Sequence, residues 1–247
     1  MAPADRVGSY GSLISRVLNR VEYRLAETEA DKEAIYRLRY AAYLKEGAIH
    51  PNPDGLVTDR FDDLPNSWTF GVYAGGELAS SIRISVCAGS HPETPSMDVF
   101  PDLLEPRVAQ GKILVDPTRF VANSVLARSL PELPYLTVRL AYIACNYFNA
   151  DIGLATVRAE HQAFYRRVFL HEPLTGPRTY PGLIKPICLM AVDFPNMWER
   201  VLQRYPFLHA SDHEQRVLFE RGGVQSPALN GSDMTPSSLI AKAEAAG

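Results

Sequence analysis

Two adjacent glycines constrain the fold of this chain more than any other feature of its sequence. Gly75 and Gly76 separate two β-rich runs, residues 67–74 and 77–86. A Gly–Gly pair between such runs is a strong signal for a β-hairpin. A hairpin in the middle of the chain argues against a purely parallel, doubly wound sheet, so we expect a mixed sheet.

The hydrophobic pattern elsewhere predicts strands and helices in alternation. We expect further strands at residues 21–26, 112–122, 152–157 and 186–193. We expect helices from the capping-box-like pair Thr28 and Asp31 to about Gly47, at residues 136–148, 160–169 and 196–205, and after the capping pair Ser211 and Glu214. The stretches 48–66 and 88–110 are predicted to be irregular because of their turn-forming residues. This order predicts helices packed on the faces of a mixed sheet.

One domain accounts for most of the 247 residues. Its hydrophobic fraction of 46% is ample for a single well-packed core. We expect an amphipathic helix within residues 1–20, the main domain at 21–221, and a loose tail at 222–247, where polar and small residues dominate.

Composition disfavours several classes of protein. The 25 basic and 28 acidic residues give a net charge of -3, and the basic residues are scattered, which argues against nucleic-acid binding. No apolar run approaches the roughly 20 residues of a membrane-spanning helix. The cysteines Cys87, Cys145 and Cys188 lie in separate apolar runs and are expected to be buried free thiols. Because the first 20 residues do not resemble a secretory signal, we expect a cytoplasmic protein.

The motifs of several enzyme classes are missing from the sequence. There is no G-x-x-x-x-G-K-[ST] phosphate loop, no G-x-G-x-x-G dinucleotide fingerprint and no G-x-S-x-G nucleophile elbow. The six histidines have no partners at zinc-ligand spacing, so we expect no metal site. Nucleotide hydrolases, dehydrogenases, serine hydrolases and zinc enzymes are therefore disfavoured.

Charged residues in apolar surroundings mark the candidate site. Arg83 is the only charge in the strand S-S-I-R-I-S-V, where an arginine is costly unless it is paired. Five further charged residues accompany it: Arg39, Asp59, Asp62, Asp116 and Arg119. We expect Asp59 or Asp62 to pair with Arg83, and Asp116 to pair with Arg39 or Arg119, so that the group lines a cleft. The alternative is a set of separate salt bridges.

The order and spacing of these residues resemble a known family. The run R-L-R-Y-A-A-Y-L-K-E-G is followed by D-R-F-D, by S-I-R-I after the hairpin, and by V-D-P-T-R-F. Residues 21–194 thereby resemble the acyl-homoserine-lactone (autoinducer) synthases and, more closely, the long-chain N-acyl amino acid synthases of the GNAT superfamily. The resemblance implies an α/β (α+β) fold: a GNAT-like twisted mixed β-sheet with helices on both faces, plus the extra N- and C-terminal helices. Its central strands would splay to admit an acyl-pantetheine arm.

Departures from the autoinducer synthases favour a particular donor and acceptor. Those enzymes have a tryptophan soon after the glycine, where it helps to hold S-adenosylmethionine, whereas here none follows Gly47 before Trp68. The acid is Asp116 rather than glutamate, and both differences favour a free amino acid as acceptor. GNAT acetyltransferases hold the coenzyme A pyrophosphate with a glycine-rich turn, but residues 123–134 contain no glycine. This favours acyl carrier protein as the donor.

The resemblance implies roles for individual residues. Asp116 would take a proton from the acceptor amine through water; its alternative is a structural residue before Pro117. Arg39 and Arg119 would hold the acceptor carboxylate, since a guanidinium group suits bidentate binding. A backbone N–H within residues 120–122 would stabilise the oxyanion if the strand bulges there. We predict Asp116, Arg119 and Arg83 as catalytic residues, and Arg39, Tyr43, Asp59, Asp62, Phe120 and Val121 as substrate-binding residues.

The acyl chain and the carrier protein each need a surface. Candidates for the acyl tunnel are Leu140, Ile143 and Phe164, although each is equally well a core residue. Basic candidates for docking an acidic carrier protein are Arg128, Arg139, Arg158, Arg166 and Arg167.

Three functions are therefore open. The first is transfer of a long-chain acyl group from the acyl-phosphopantetheine of acyl carrier protein (or from acyl-CoA) to an amino acid, with no tightly bound cofactor. The second is an autoinducer synthase or an acyl-CoA-dependent GNAT enzyme. The third is a non-catalytic GNAT-like protein that binds acyl groups.

Overall fold

The hairpin predicted from the two glycines is present. In a computed structural model that describes residues 18–221, strands β2 (Ser67–Ala74) and β3 (Glu77–Cys87) pair in antiparallel fashion. Gly75 and Gly76 connect them with φ angles of 61° and 85°. Positive φ at both turn positions matches the twist of the flanking strands and favours glycine.

Seven strands form one open, mostly antiparallel sheet. The others are β1 (Val21–Leu25), β4 (Leu114–Ala122), β5 (Ile152–Val157), β6 (Glu172–Pro173) and β7 (Cys188–Asp193). Their spatial order is β1-β2-β3-β4-β5-β7-β6. Every neighbouring pair is antiparallel except β4 and β5. The predicted mixed sheet is confirmed, and only the two-residue strand β6 was not expected.

The parallel strands β4 and β5 separate soon after they meet. Their ladder consists of Leu114 opposite Ile152 and Val115 opposite Gly153. Beyond Val115, β4 stays paired with β3, and β5 stays paired with β7. The sheet is therefore split between its two halves, as the resemblance implied for the central strands.

Within the described residues there are eight α-helices. They are α1 (Glu29–Lys45), α2 (Pro95–Val99), α3 (Pro101–Ala109), α4 (Leu126–Ser129), α5 (Leu133–Tyr147), α6 (Gln162–Phe169), α7 (Phe194–Arg204) and α8 (Asp212–Phe219). The predicted caps are confirmed at two of them. The side chain of Thr28 accepts a hydrogen bond from the backbone N–H of Asp31, and that of Ser211 accepts one from Glu214.

Helices cover both faces of the sheet. On one face, Ile82 and Ile84 of β3 pack in a large core with Leu136 and Leu140 of α5. Because side chains alternate along a strand, Arg83 between the two isoleucines points to the opposite face. That face is covered by α1, α2 and α3.

The second face has its own smaller core. Cys87 and Leu114 of the sheet pack there with Phe100 and Leu104, which flank and belong to α3. The sheet therefore separates a large core beneath α5 from a smaller one beside α3.

The prediction that residues 88–110 are irregular was wrong, because this stretch contains α2 and α3. Each helix begins with a proline, Pro95 or Pro101, in its first turn. Proline is favourable there because the first backbone N–H groups of a helix have no partner inside it. The side chain of Thr94 caps α2 by accepting a hydrogen bond from the N–H of Met97.

Other expectations concern the thiols, the membrane and the termini. Cys87, Cys145 and Cys188 are buried and free, as predicted. None of the helices in residues 18–221 is long and apolar enough to cross a membrane. Most of the expected N-terminal helix, and the tail at 222–247, lie outside the described residues.

Candidate active site

A buried lattice of arginines and aspartates lies between α1 and the sheet. Arg39 on α1 donates from Nη1 to both carboxylate oxygens of Asp62, at 2.8 and 2.9 Å. Arg83 on β3 donates to Asp62 at 3.0 Å and to Asp59 at 2.5 Å. The expected pairing of Asp59 or Asp62 with Arg83 is confirmed for both aspartates.

Asp59 links this lattice to Arg119 on β4. Nη2 of Arg119 donates to the Asp59 carboxylate at 2.6 Å, and Nε donates at 3.1 Å. The side chains of Arg39 and Arg83 are fully buried, whereas 9% of Arg119 and 19% of Asp59 is exposed. Arg119 and Asp59 therefore form the solvent-facing end of the lattice, and Arg39 forms its inner end.

The lattice keeps both aspartates ionised. Burial by itself raises the pKa of Asp59, but the hydrogen bonds and charges of Arg83 and Arg119 outweigh burial and hold this pKa well below its ordinary value. The pKa of Asp62 is also lowered, because the charges of Arg39 and Arg83 outweigh burial. Three guanidinium groups against two carboxylates leave one uncompensated positive charge in the lattice.

A β-bulge in β4 positions Arg119. Ser81 of β3 lies opposite Val121, and Arg83 lies opposite Thr118, so one residue of β3 faces two residues of β4. Arg119, one of these two residues of β4, has a φ of 56°, which is uncommon for a residue with a side chain. The bulge turns the Arg119 side chain toward Asp59. The bulge on which the predicted oxyanion donor depended is thus present, and the donor role itself stays a prediction.

Asp116 does not join the lattice, and its expected pairing with Arg39 or Arg119 was wrong. Its carboxylate is fully buried and accepts hydrogen bonds from the backbone N–H of Ser96, at 2.9 Å, and from the Ser96 hydroxyl, at 2.7 Å. Asp116 lies within β4, and its side chain faces α2.

A hydroxyl pair connects Asp116 to the split in the sheet. The Oγ of Ser96 lies 2.5 Å from Oγ1 of Thr156, a partly exposed residue on β5. Burial raises the pKa of Asp116, and the two hydrogen bonds from Ser96 offset part of that rise. Neither hydroxyl was predicted. The sequence placed Ser96 in a supposed loop, and serine and threonine alone carry no specific signal.

Two tyrosines flank the exposed end of the lattice. The guanidinium carbon of Arg119 lies 5.7 Å from the ring centres of both Tyr43 and Tyr180. Tyr43 was predicted from its position one helical turn after Arg39. Tyr180 was missed, because it lies in the irregular segment between β6 and β7. Burial raises the pKa of Tyr180 to about 12.

An apolar cavity lies on the other face of the sheet, next to the split. It has an empty volume of about 360 Å³, including the solvent at its mouth. Its walls come from β4, α5, β5, α6, β7 and α7, and they include Val115, Pro117, Ala141, Cys145, Gly153, Tyr165 and His171. Val115 and Gly153 are the last pair before β4 and β5 separate, so the cavity begins where the split begins.

The predicted tunnel residues do not line this cavity. Leu140 is fully buried in the core, Ile143 faces a second pocket beneath α8, and Phe164 packs on Tyr135. Helix α5 turns Val138, Ala141, Tyr142 and Cys145 toward the cavity instead. Because α5 is apolar on nearly all sides, the sequence does not show which of its faces borders the cavity. The acyl-tunnel role of the three residues stays a prediction.

The predicted oxyanion segment lies beside the lattice and the cavity. Phe120 is partly buried against the core beneath α5, and Val121 is buried. Both follow Arg119 at the bulge, so backbone groups of this segment lie at the edge of the split.

The predicted docking surface needs a correction at Arg139. This residue is buried in α5, where its guanidinium donates to the carbonyls of Phe207 and His209 and to the carboxylate of Glu214. Arg158 is mostly buried and pairs with Glu46. Three exposed candidates remain: Arg128, Arg166 and Arg167.

Among the described residues, no group of three or more His, Cys, Asp or Glu residues could hold a metal ion.

The split mixed sheet is the architecture that the resemblance to GNAT-like acyltransferases implied. The family profile described as N-acyl amino acid synthase FeeM matches residues 34–193, about two thirds of the chain. The chain belongs to this family of N-acyl amino acid synthases, and it is an acyltransferase. The family predicted from the sequence is confirmed.

Solved structures share the fold. The structure of FeeM, an N-acyl amino acid synthase from uncultured soil microbes, has a TM-score of 0.59 at 18% identity and covers 75% of this chain and 97% of its own. Two CoA-dependent acyl-homoserine lactone synthases are also similar. BjaI has a TM-score of 0.54 at 17% identity and covers 76% of this chain and 89% of its own. MesI has a TM-score of 0.52 at 17% identity and covers 76% of this chain and 95% of its own. No curated protein sequence matches this chain.

Proposed function

We propose that this enzyme transfers a long-chain acyl group from acyl carrier protein to the amino group of a free amino acid. The observation that carries the proposal is the net positive charge of the lattice, whose solvent-facing end is Arg119, beside the split in the sheet. An amino acid presents one carboxylate next to its amine. A guanidinium group at the solvent-facing end of the lattice is suited to bind that carboxylate and to leave the amine free to react.

The split supports direct transfer between the two faces. The acyl chain would occupy the apolar cavity beneath α5, and the thioester would lie in the split. A neutral amine attacks the thioester carbonyl and forms the new C–N bond. The resulting tetrahedral oxyanion then collapses, the C–S bond breaks, and the pantetheine thiolate leaves. Backbone N–H groups at the β4 bulge, near Phe120, are our candidates for stabilising the oxyanion.

The proton lost by the amine has a route to Asp116. Since the Asp116 carboxylate is buried, it acts through Thr156 and Ser96 rather than by contact with the amine. The amine gives its proton to the hydroxyl of Thr156, which passes one on to Ser96, and Ser96 passes one to Asp116. A carboxylate whose pKa is raised by burial is a better proton acceptor than an exposed one.

The segment after β4 supports carrier protein over coenzyme A. The N–H groups of Val125 and Leu126, at the start of α4, already donate to the side chain of Asn123. Glu132 is buried at the start of α5 and places a carboxyl group where a pyrophosphate would need donors. A carrier protein presents no pyrophosphate at this point. A cytoplasmic site of action, where thiols stay reduced, belongs to the same proposal.

The test is a transfer assay with purified enzyme. Dodecanoyl thioesters of acyl carrier protein and of coenzyme A are each combined with a panel of amino acids and, separately, with S-adenosylmethionine. Free thiol and the acylated product are quantified by mass spectrometry. We expect an N-acyl amino acid, formed faster from the carrier protein. A homoserine lactone product, or dodecanoyl-CoA as the far better donor, would contradict the proposal.

A further inference from the structure

His171 is a polar side chain without a partner in an apolar cavity. It is 92% buried, and neither ring nitrogen forms a hydrogen bond to any described residue. The carbonyls of Leu154, Phe169 and Gly153 lie close enough to favour a protonated ring, but none meets hydrogen-bond geometry. Burying such a group without a partner is unfavourable, so its position calls for a ligand.

His171 lines the cavity together with Gly153. A methyl group built on Gly153 would come within 3.2 Å of Val192, 3.5 Å of the sulfur of Cys145 and 3.9 Å of Nε2. The missing side chain of Gly153 therefore leaves no more than a methyl-sized gap between the imidazole and α5. The ring is otherwise held by aromatic neighbours, with Tyr165 at 5.8 Å and Phe169 at 6.3 Å between ring centres.

The chemistry of the ring indicates what it can bind. Burial lowers the pKa of His171 to about 4, so the ring is neutral at physiological pH. A neutral imidazole offers one N–H donor and one nitrogen acceptor. A hydroxyl group is complementary to either nitrogen, because it can both donate and accept. The walls around it are apolar, as an alkyl chain requires.

We propose that His171 selects acyl donors that carry a hydroxyl group on the fatty chain, which it binds inside the cavity beneath α5. This inference rests on the proposed function to the extent that the acyl chain occupies this cavity. It adds a specificity determinant to that function, and His171 takes no part in the bond-making step.

The experiment compares donors of one chain length. Dodecanoyl-pantetheine is compared with a series of hydroxydodecanoyl-pantetheines that differ in the position of the hydroxyl. Binding and acyl transfer are both measured, for wild type, for His171→Phe and for the exposed control His209→Phe. Phenylalanine keeps the ring and the aromatic packing but cannot form the hydrogen bond.

We expect wild type to prefer at least one hydroxylated donor over the unsubstituted one by about 10-fold or more, since a site built to bind a hydroxyl rejects the analogue that lacks it. His171→Phe should reverse the preference, and His209→Phe should keep it. Wild-type binding that never favours a hydroxylated donor overturns the inference, even if His171→Phe does not fold. Discrimination in binding without any transfer would support the inference and contradict the proposed function.

Discussion

Arg83 is the residue on which the lattice depends most. Its guanidinium is fully buried and donates to both Asp59 and Asp62. We expect Arg83→Ala to lower the free energy of unfolding by about 3–5 kcal/mol, because it leaves buried carboxylates uncompensated. Urea denaturation of both proteins measures the difference.

A matched control exists on the surface. Arg60 also pairs with two acidic residues, Glu93 and Asp98, but its side chain is more than half exposed. Arg60→Ala should change stability little, since exposed ion pairs contribute little. If both variants lose a similar free energy of unfolding, burial does not determine how strongly the lattice stabilises the fold.

Substitution of Asp116 should lower the activity of the enzyme without lowering its stability. Asp116→Asn removes the proposed proton acceptor, so we expect kcat to fall by about 10²–10⁴-fold. Because burial raises the pKa of Asp116 in the folded protein, its contribution to stability is present at low pH and is lost as pH rises through that raised pKa. The variant should therefore be at least as stable as wild type at pH 7.

Initial rates and melting curves at pH 7 test both halves of this prediction. A variant with near wild-type kcat would place the base elsewhere. A large loss of stability would instead make Asp116 a structural residue.

Helix α2 is the element that carries the serine of the proposed proton route. Its residue Ser96 donates to Asp116 on β4 and contacts Thr156 on β5. We expect Ser96→Ala to lower kcat by about 10²-fold with little change in the KM for the acyl donor, because only the proton route is broken. Ser129→Ala, on the exposed end of α4, is the control. A solvent isotope effect on kcat that is equal in wild type and Ser96→Ala would contradict the relay.

The success of prediction differed from element to element for physical reasons. The hairpin and the helices around residues 28–47 and 136–148 have strong local signals, namely positive-φ glycines, caps and hydrophobic period, and all were predicted. Helices α2 and α3 were missed because a proline at the first turn looks like a proline in a loop. Local sequence does not distinguish the two.

The residues of the candidate site also differed in how well the sequence predicted their contacts. Arg83 had to be paired, because a lone charge in an apolar strand is costly, and this requirement identified Asp59 and Asp62. The partner of Asp116 could not be predicted, since a neutral serine on a neighbouring element carries no comparable constraint. The cavity walls were also out of reach, because α5 is apolar all round and only the tertiary structure selects its inner face.

At the scale of the whole molecule, His171 should make the free energy of unfolding depend on pH. Burial lowers its pKa from 6.5 to about 4, so between these values the unfolded chain binds a proton that the folded protein does not. Stability should fall as pH falls from about 6.5 to about 4, by up to about 1.4 kcal/mol per pH unit from this residue. His171→Phe should weaken this dependence, and His209→Phe should not.

Chemical denaturation between pH 7 and pH 4 provides the measurement. The comparison of variants isolates His171, because the aspartates of the lattice lose their contribution at lower pH. Parallel curves for wild type and His171→Phe would mean that the buried imidazole protonates as readily as an exposed one.

The split sheet also has a kinetic consequence. The charged lattice and the apolar cavity lie on opposite faces, and they meet only where β4 and β5 separate. Under the proposed function, each substrate enters from its own side without displacing the other, and both are present together before any bond changes. Steady-state rates measured at several fixed acceptor concentrations should give intersecting double-reciprocal lines, the mark of a ternary complex. Parallel lines would instead require the acyl group to wait on the enzyme, with one product departing before the second substrate arrives.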